Sequence, residues 1–289
     1  MKLSVVIPTL GGIPLINTIK ALQHSSIRPI EILVCIPLSC ELVSKIDLSD
    51  NIRVIRTKKK GQVNQRMVGF LESQGELVLQ IDDDVILEKD TIKKLVYCLE
   101  GIDEKAAVAP SIFWEGSKIS VFSTKRDSFT RKFSDWIMNG KNGYKSGVVS
   151  LSGVGFGLDH NDKNQDKTET EWLPGGCVLH RSHNLINLDY FPFSGKAYSE
   201  DLIHSFLLRE NGVKLYVCNN AIAYIEPIFY PDSLIDLFRQ YQATKYVVKI
   251  QRKGLVRFHL LYALRLFKMV ARLINRVVKM CVNKIKKII

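Results

Sequence analysis

The feature that most constrains this chain is a regular alternation of buried-strand and helix signals across its N-terminal third. Leu3 to Ile7 is a continuous apolar run stopped by Pro8, Ile30 to Ile36 a second, Ile52 to Ile55 a third, and Glu76 to Ile81 a fourth. Between them, Leu15 to Leu22 and Gln62 to Leu71 carry helical spacing. Runs that are apolar on both faces suit strands covered by helices on each side, and strands that alternate with helices pair in parallel. The predicted architecture is an α/β, Rossmann-like, mostly parallel sheet flanked by helices.

The pattern continues with a helix over Leu87 to Leu99 and a strand over Ala106 to Ile112, ending near Trp114. From there to about Thr170 it weakens. Aromatics mix with the glycines of Gly153 to Gly157 and the polar cluster from Asp159 to Thr168, which reads as a long functional loop region with short elements. Order returns with Trp172 to Arg181, a glycine turn leading into an apolar strand. A helix over Glu200 to Glu210 and strands over Val213 to Val217 and Ala221 to Ile225 follow, with no internal repeat.

A chain of 289 residues, 46% hydrophobic and 24% charged, is long enough to bury a sizeable core without disulfides or structural metals. Its net charge of +12 is concentrated at one end: no acidic residue follows Asp236, while Arg239 to Lys287 holds fourteen Lys or Arg. A nearly neutral body with a cationic tail indicates an anchoring or interaction segment attached to an ordinary domain. Cys35, Cys40, Cys98, Cys177, Cys218 and Cys281 include no C-x-x-C pair, and four lie in apolar runs, so they read as buried free thiols. The first apolar run, broken by Pro8 and two glycines, is too short for a signal-peptide core, which leads to the expectation of a cytoplasmic, reducing location.

Three carboxylates, Asp82, Asp83 and Asp84, close the fourth strand. Ligands of open α/β sheets bind beyond the carboxyl ends of strands, so these acids stand where a ligand is expected. Adjacent carboxylates repel one another unless a cation relieves them. Hard oxygen ligands suit Mg²⁺ or Mn²⁺, with nucleotide phosphates completing the coordination. The alternative is a solvated acidic turn in which Asp84 or a neighbour caps the next helix.

Taken with their order along the chain, these motifs resemble glycosyltransferase family 2, inverting enzymes with the GT-A fold, over most of residues 2 to 226. Ser4-Val5-Val6-Ile7-Pro8-Thr9 is similar to the family's first strand and nucleotide-facing loop, which implies donor contacts from Pro8, Thr9 and Leu10. Gly61-Gln62-Val63-Asn64-Gln65-Arg66-Met67-Val68-Gly69, then Gly75-Glu76 and the acid triplet, resembles its glycine-arginine-glycine helix leading to the Asp-x-Asp motif. On that match Asp84 is the direct metal ligand. Asp82 lies nearer the donor's ribose and sugar and shares the metal, and Asp83 sits on the donor side. Arg66 is a candidate for the diphosphate or nucleotide, with a surface salt bridge as its alternative.

Trp172-Leu173-Pro174-Gly175-Gly176 resembles the acceptor-side segment, implying acceptor contacts from Trp172, Gly175 and Gly176, where glycines admit close backbone approach; a simple turn before a strand is the alternative. Ser199-Glu200-Asp201-Leu202 resembles the family's Glu-Asp motif, implying Asp201 as the base that takes the acceptor hydroxyl's proton, with Glu200 supporting it or binding acceptor. Acids in a helix's first turn also favour the helix dipole whatever their chemistry. Three departures stand out: Val34 to Ser39 lacks the aspartate that contacts the base, Met67 replaces an asparagine, and Ala221 to Pro227 lacks a metal-binding histidine, for which Glu226 is either a substitute or an exposed strand-end acid.

The implied reaction is a metal-dependent, inverting displacement that moves a sugar from a nucleotide-sugar donor to a glycan or lipid-linked acceptor. Two other readings stay open: a non-catalytic, membrane-associated partner of another transferase, and a nucleotidyltransferase, although Leu10-Gly11-Gly12-Ile13 lacks the longer signature of the latter. The domain reading is 1–230 for the GT-A domain, with 1–113 as the nucleotide-sugar half and 114–230 as the acceptor half, and 231–289 for the tail.

From about Leu255 the tail is helical and two-faced. At helical pitch Arg265, Lys268, Arg272, Arg276 and Lys279 fall within an arc of about 80° while Leu266, Phe267, Val270, Leu273, Ile274, Val277 and Val278 face away. Such a helix lies in a membrane interface beside anionic lipid, peripheral on the cytoplasmic face, and cations interrupt it too often for the about 20 apolar residues that spanning needs. The alternative is packing of the apolar stripe on the domain or on a second copy in a homo-oligomer. Nucleic acid is excluded as a partner, because the apolar face has no use on a phosphate surface.

Overall fold

Both faces of the first strands are covered, which is why their sequences do not alternate. The computed structural model describes residues 1–42, 50–102, 104–123, 128–159, 166–227 and 233–285. In it β1 (Leu3–Pro8) is buried at every position, and α1 (Pro14–Gln23) buries Leu15, Ile19 and Leu22. β2 (Glu31–Pro37), equally buried, pairs in parallel with β1, Val5 opposite Ile32, and β3 (Ile52–Thr57) extends the sheet beyond it. The chain then crosses through α2 (Gln62–Glu72) and returns as β4 (Leu77–Ile81) on the other side of β1, Val5 opposite Leu79. Strand order therefore reverses between β1 and β4, and a crevice opens beyond their carboxyl ends at such a switch point.

The remaining elements are β5 (Val85–Leu87), α3 (Thr91–Glu100), β6 (Ala106–Trp114), α4 (Phe129–Asn139), β7 (Lys167–Thr170), β8 (Cys177–Arg181), α5 (Glu200–Glu210), β9 (Lys214–Ile225), α6 (Leu234–Ile250) and α7 (Leu255–Ile285). The sheet order is β3-β2-β1-β4-β8-β6-β9-β5, with β7 also on β9. β8 runs antiparallel to β4, Ile81 opposite Cys177, so the turn before β8 arrives beside the acid triplet.

Three expectations are corrected. The residues just after the triplet form β5, held by antiparallel pairing of Val85 with Ile225, and the helix begins at Thr91 rather than Leu87. The two strands expected at Val213 to Val217 and Ala221 to Ile225 are one, β9, which starts at Lys214 and whose register against β6 slips between Pro110 and Ser111 while the Asn219 N–H bonds to the Asp166 carbonyl. The stretch read as loop between Trp114 and Thr170 contains α4, started by Ser128, whose side chain accepts from the Arg131 N–H. A further helix, α6, precedes the tail helix α7, which begins at Leu255 as expected.

The chain divides into two compact units: Met1–Lys125 with Lys145–Val149 and Gly155–Ile228, and Arg126–Tyr144 with Ser150–Val154 and Phe229–Ile289. A single cut at residue 230 therefore differs from the observed division in two short segments. The first unit holds the sheet. The second is helical: Val248 of α6 packs with Phe258 and Tyr262 of α7, and Arg257 Nη1 donates to the Trp136 carbonyl of α4 at 2.7 Å. Cys35, Cys98, Cys177 and Cys218 are buried free thiols. Among the described residues no helix is long and apolar enough to cross a membrane.

α2 approaches the sheet closely because it carries glycine where it crosses β1 and β2. A methyl group at Gly69 would collide with Val6 Cγ1 and come within 2.7 Å of Cys35 Sγ. Overpacking at such a position costs about 1–3 kcal/mol, so Gly69→Ala should lower the unfolding free energy by that much in a urea titration, despite the better helix propensity of alanine.

Candidate active site

The three aspartates at the end of β4 point three ways. Asp83 turns inward: it accepts a short hydrogen bond from the Thr9 hydroxyl, which follows β1, while its own carbonyl accepts from Thr18 Oγ1 at 2.9 Å. Burial raises the Asp83 pKa, the Thr9 bond opposes this, and the Asp82 charge adds to it. Asp82 Oδ1 accepts from Arg66 Nη2 at 2.6 Å and from Gln62 Nε2 at 2.8 Å. Asp84 alone is exposed. The protein around it, then the charges of Asp82, Asp83 and Glu226, push its pKa up to about 6.

Pro8 is buried, and Leu10 is half exposed at the mouth of the same strand end. Gln65 fixes the spacing there. Its Nε2 donates to the Thr9 carbonyl at 2.7 Å and to the Cys35 carbonyl at 2.6 Å, tying the ends of β1 and β2 together.

Arg66 connects the acid triplet at the end of β4 to the start of α5. Its side chain is 2% exposed, with Nη1 donating to Glu200 Oε1 at 2.6 Å and Nη2 donating also to the Gly175 carbonyl at 3.1 Å. Burial disfavours its charge, and the carboxylates of Glu200 and Asp82 outweigh burial, raising its pKa. The other Glu200 oxygen accepts from Tyr190 OH at 3.0 Å, and the Tyr190 ring stacks on His204 with centroids 5.6 Å apart. Burial first, and the Arg66 charge second, hold His204 down at about 3, so that its ring is neutral.

Gly175 and Gly176 serve this framework. A methyl group at Gly175 would run into Glu200 Oε1, and one at Gly176 would stand 3.5 Å from Asp82 Oδ2. The Gly175 carbonyl also accepts from Gln80 Nε2 at 2.6 Å, and the Gly176 carbonyl accepts from the Asp82 N–H at 2.9 Å. Protein contacts thus require glycine at Gly175, whereas a side-chain methyl at Gly176 would make only ordinary van der Waals contacts.

Asp201 opens α5 behind Ser199, which adopts a left-handed backbone at φ 56°. A non-glycine residue in that region costs about 1–3 kcal/mol and persists where the surroundings impose it, commonly at functional sites. Asp201 Oδ1 accepts from the Leu202 N–H at 2.9 Å, and among the described residues no cation pairs with it. Burial, then the Glu200 charge, raise its pKa to about 7.

The structure therefore gathers Thr9, Arg66, Asp82, Asp83, Gly175, Gly176, Glu200 and Asp201 around one framework, with Asp84 at its exposed edge. Two expectations do not hold. Arg66 is not a surface residue: its side chain is 2% exposed and its ion pairs with Asp82 and Glu200 hold it inside the framework. Trp172 is buried, its indole N–H donates to the Phe156 carbonyl at 3.0 Å, and its ring meets Phe122 edge-on, so it packs rather than presenting a face to an acceptor. Glu226 is exposed and close enough to Asp84 to act on its charge, because β5 pairs with β9 just before it. Gln62, Gln65, Gln80 and Tyr190 were not read from the sequence. Only Gln80 leaves a trace there, as the sole amide in an otherwise apolar strand.

A match to Glycosyl transferase family 2 spans residues 4–148, half of the chain, and the chain belongs to that family. The crystal structure of GalNAc-T7 with UDP, GalNAc and Mn²⁺ superposes with a TM-score of 0.57 at 15% identity, covering 79% of this chain and 43% of that one. The structure of S. aureus TarS 1-349 in complex with UDP-GlcNAc gives 0.53 at 15% identity, covering 86% of this chain and 66% of that one. This chain thus spans less than half of the first and about two thirds of the second. These likenesses show the fold, which is GT-A. Comparison with the curated proteins gives no match.

Removing one partner from a buried ion pair leaves an uncompensated charge and costs about 3–5 kcal/mol. Arg66→Met should therefore destabilise the protein by that amount in a denaturant titration, and Glu200→Gln added to it should recover part of the loss.

Proposed function

We propose that this chain transfers a sugar from a nucleotide-sugar donor to an acceptor hydroxyl with inversion, and that the acceptor is a lipid-linked or polysaccharide glycan. The observation that carries the reading is the Arg66 bridge, through which the acid triplet at the end of β4 and the Glu-Asp start of α5 share one buried cation. Membership of family 2 and the GT-A fold support transfer from a nucleotide sugar. The complexes of GalNAc-T7 with UDP and of TarS with UDP-GlcNAc support a uridine nucleotide as the first donor to test.

Among the described residues no three His, Cys, Asp or Glu side chains form a metal cage. The donor set nevertheless fits a hard divalent ion held in the manner of Mg²⁺ or Mn²⁺, by one or two carboxylates and substrate phosphates. Asp84 is exposed and crowded by negative charge from Asp82, Asp83 and Glu226, a situation that a cation relieves. Asp84 would hold the ion, with Asp82 and Glu226 beside it. When bound, such an ion neutralises charge on the departing diphosphate.

Asp201 takes the proton from the acceptor hydroxyl as that oxygen attacks the anomeric carbon, and the nucleoside diphosphate leaves from the opposite face. Glu200 does not compete for the role, because Arg66 and Tyr190 occupy both of its oxygens. A base must be ionised to act, so kcat/KM should rise ~10-fold per pH unit below about 7 and level off above it. Release of nucleoside diphosphate from a panel of nucleotide sugars with Mn²⁺ or Mg²⁺ is the test. Asp201→Asn should abolish turnover and keep donor binding, whereas Asp84→Ala should abolish metal-dependent donor binding; turnover by Asp201→Asn would remove the base assignment.

The same proposal places α7 in the interface of an anionic membrane, peripheral on the cytoplasmic face, which supports an acceptor that is itself lipid-linked. Phe267 and Ile274 are exposed on this helix, as are the cations Lys268 and Lys279. The double variant Lys268→Glu, Lys279→Glu in the full chain should lose co-sedimentation with phosphatidylglycerol vesicles, each cation near such a surface contributing about 1 kcal/mol. Undiminished binding would refute the tail's role.

A further inference from the structure

Most of the exposed large hydrophobic side chains among the described residues belong to the second unit, which holds under a third of the chain. They are not confined to α7. On α4, Phe129, Phe133 and Trp136 are 81%, 47% and 51% exposed at helical spacing. Their rings stack in series, with centroids 6.5 Å apart for Phe129 and Phe133 and 6.2 Å apart for Phe133 and Trp136. Three large rings lined up in water on an 11-residue helix forgo burial worth several kilocalories, about 1.5–3 kcal/mol each. The opposite side of the helix, with Ile137 and Met138, is buried.

The charges around this ladder are cationic. Lys132 and Lys141 are exposed beside it, and Arg252 is exposed in the turn between α6 and α7. Arg257 of α7 clamps the end of α4 through the Trp136 and Ile137 carbonyls and lies over the Trp136 ring, 5.4 Å from its centroid. The acidic residues described in this unit, Asp135 and Asp236, are each paired with an arginine of the same helix. Aromatic rings flanked by lysine and arginine, with the described carboxylates of the unit paired to arginine, are the chemistry of the lipid headgroup level, where tryptophan sits and basic stems snorkel.

We propose that the aromatic ladder Phe129-Phe133-Trp136 of α4 is a second membrane-inserting element, which enters the interface of an anionic bilayer alongside α7. The inference rests on the membrane reading of the tail and adds to it a site in a different part of the sequence. Two elements explain stable docking better than one, because a single shallow anchor binds reversibly and a second makes attachment persist. The ladder also fixes the rotation of the unit about α7, which a lone amphipathic helix does not do.

The test compares the full chain with the full-chain variant Phe129→Ser, Phe133→Ser, Trp136→Ser on vesicles of phosphatidylcholine alone and of phosphatidylcholine mixed with phosphatidylglycerol. The three side chains are exposed, so the variant should keep its circular dichroism and melting temperature. Its affinity for the mixed vesicles should fall at least ~10-fold. Brominated lipid should quench the tryptophan fluorescence of the parent, and Trp136→Phe should remove that quenching. If the triple variant binds as the parent does, while the Lys268→Glu, Lys279→Glu variant does not, the ladder is overturned and the tail reading stands. If the parent ignores both vesicles, both readings fall together. If the triple variant instead changes only from dimer to monomer in sedimentation, the ladder is a self-association surface and the proposal is overturned.

Discussion

A guanidinium withdrawn from water is tolerated only where anions meet it with good geometry, and Arg66 is met on both sides. Asp82 and Glu200 lie 16 and 134 residues away from it in sequence. Their charges outweigh the cost of burying it. The surrounding site is arranged around this one group. Gly175 must lack a side chain because Glu200 occupies that space, Tyr190 must reach the second Glu200 oxygen, and the Asp82 oxygen that faces Arg66 is withdrawn from any external ligand. What is left for chemistry is what Arg66 does not hold: Asp84 at the exposed edge, and Asp201, with which no cation pairs among the described residues.

That division of labour follows from sheet topology. β8 enters antiparallel between β4 and β6. This brings a turn of two glycines against the end of β4, opposite the point where strand order reverses. A parallel insertion at the same place would have carried the turn to the other end of the sheet. Gly175, Gly176 and Glu200 from the second half of the chain thereby share a boundary with Arg66 and Asp82 of the first.

The parts legible in the sequence were those whose signal is local. β1 to β4 announce themselves as unbroken apolar runs, and the triplet and the Glu-Asp pair are contiguous residues. α4 escaped because its large apolar residues point outward, so the spacing that marks a helix did not coincide with a buried face. β9 was split because Asn219 and Asn220 suggest a turn, and pairing with β6 overrode that preference through a slip in register. β5, three residues long, is too short to show any period. Arg66 was misplaced for a different reason: arginine in a helix is ordinarily exposed, and nothing near it in sequence reveals two carboxylates contributed by other elements. The packing of Trp172 was likewise invisible, since its partners Phe122 and Phe156 come from the stretch with the weakest pattern.

The amide of Gln65, bonded at once to the Thr9 carbonyl just beyond β1 and the Cys35 carbonyl near the end of β2, acts as a spacer bar. Two strands bridged by one planar group cannot spread there without breaking at least one of its bonds, so this wall of the crevice is stiff. Anything that binds against this wall then meets a gap of fixed width, in which side-chain volume decides what fits. The adjustable parts of the molecule must lie elsewhere.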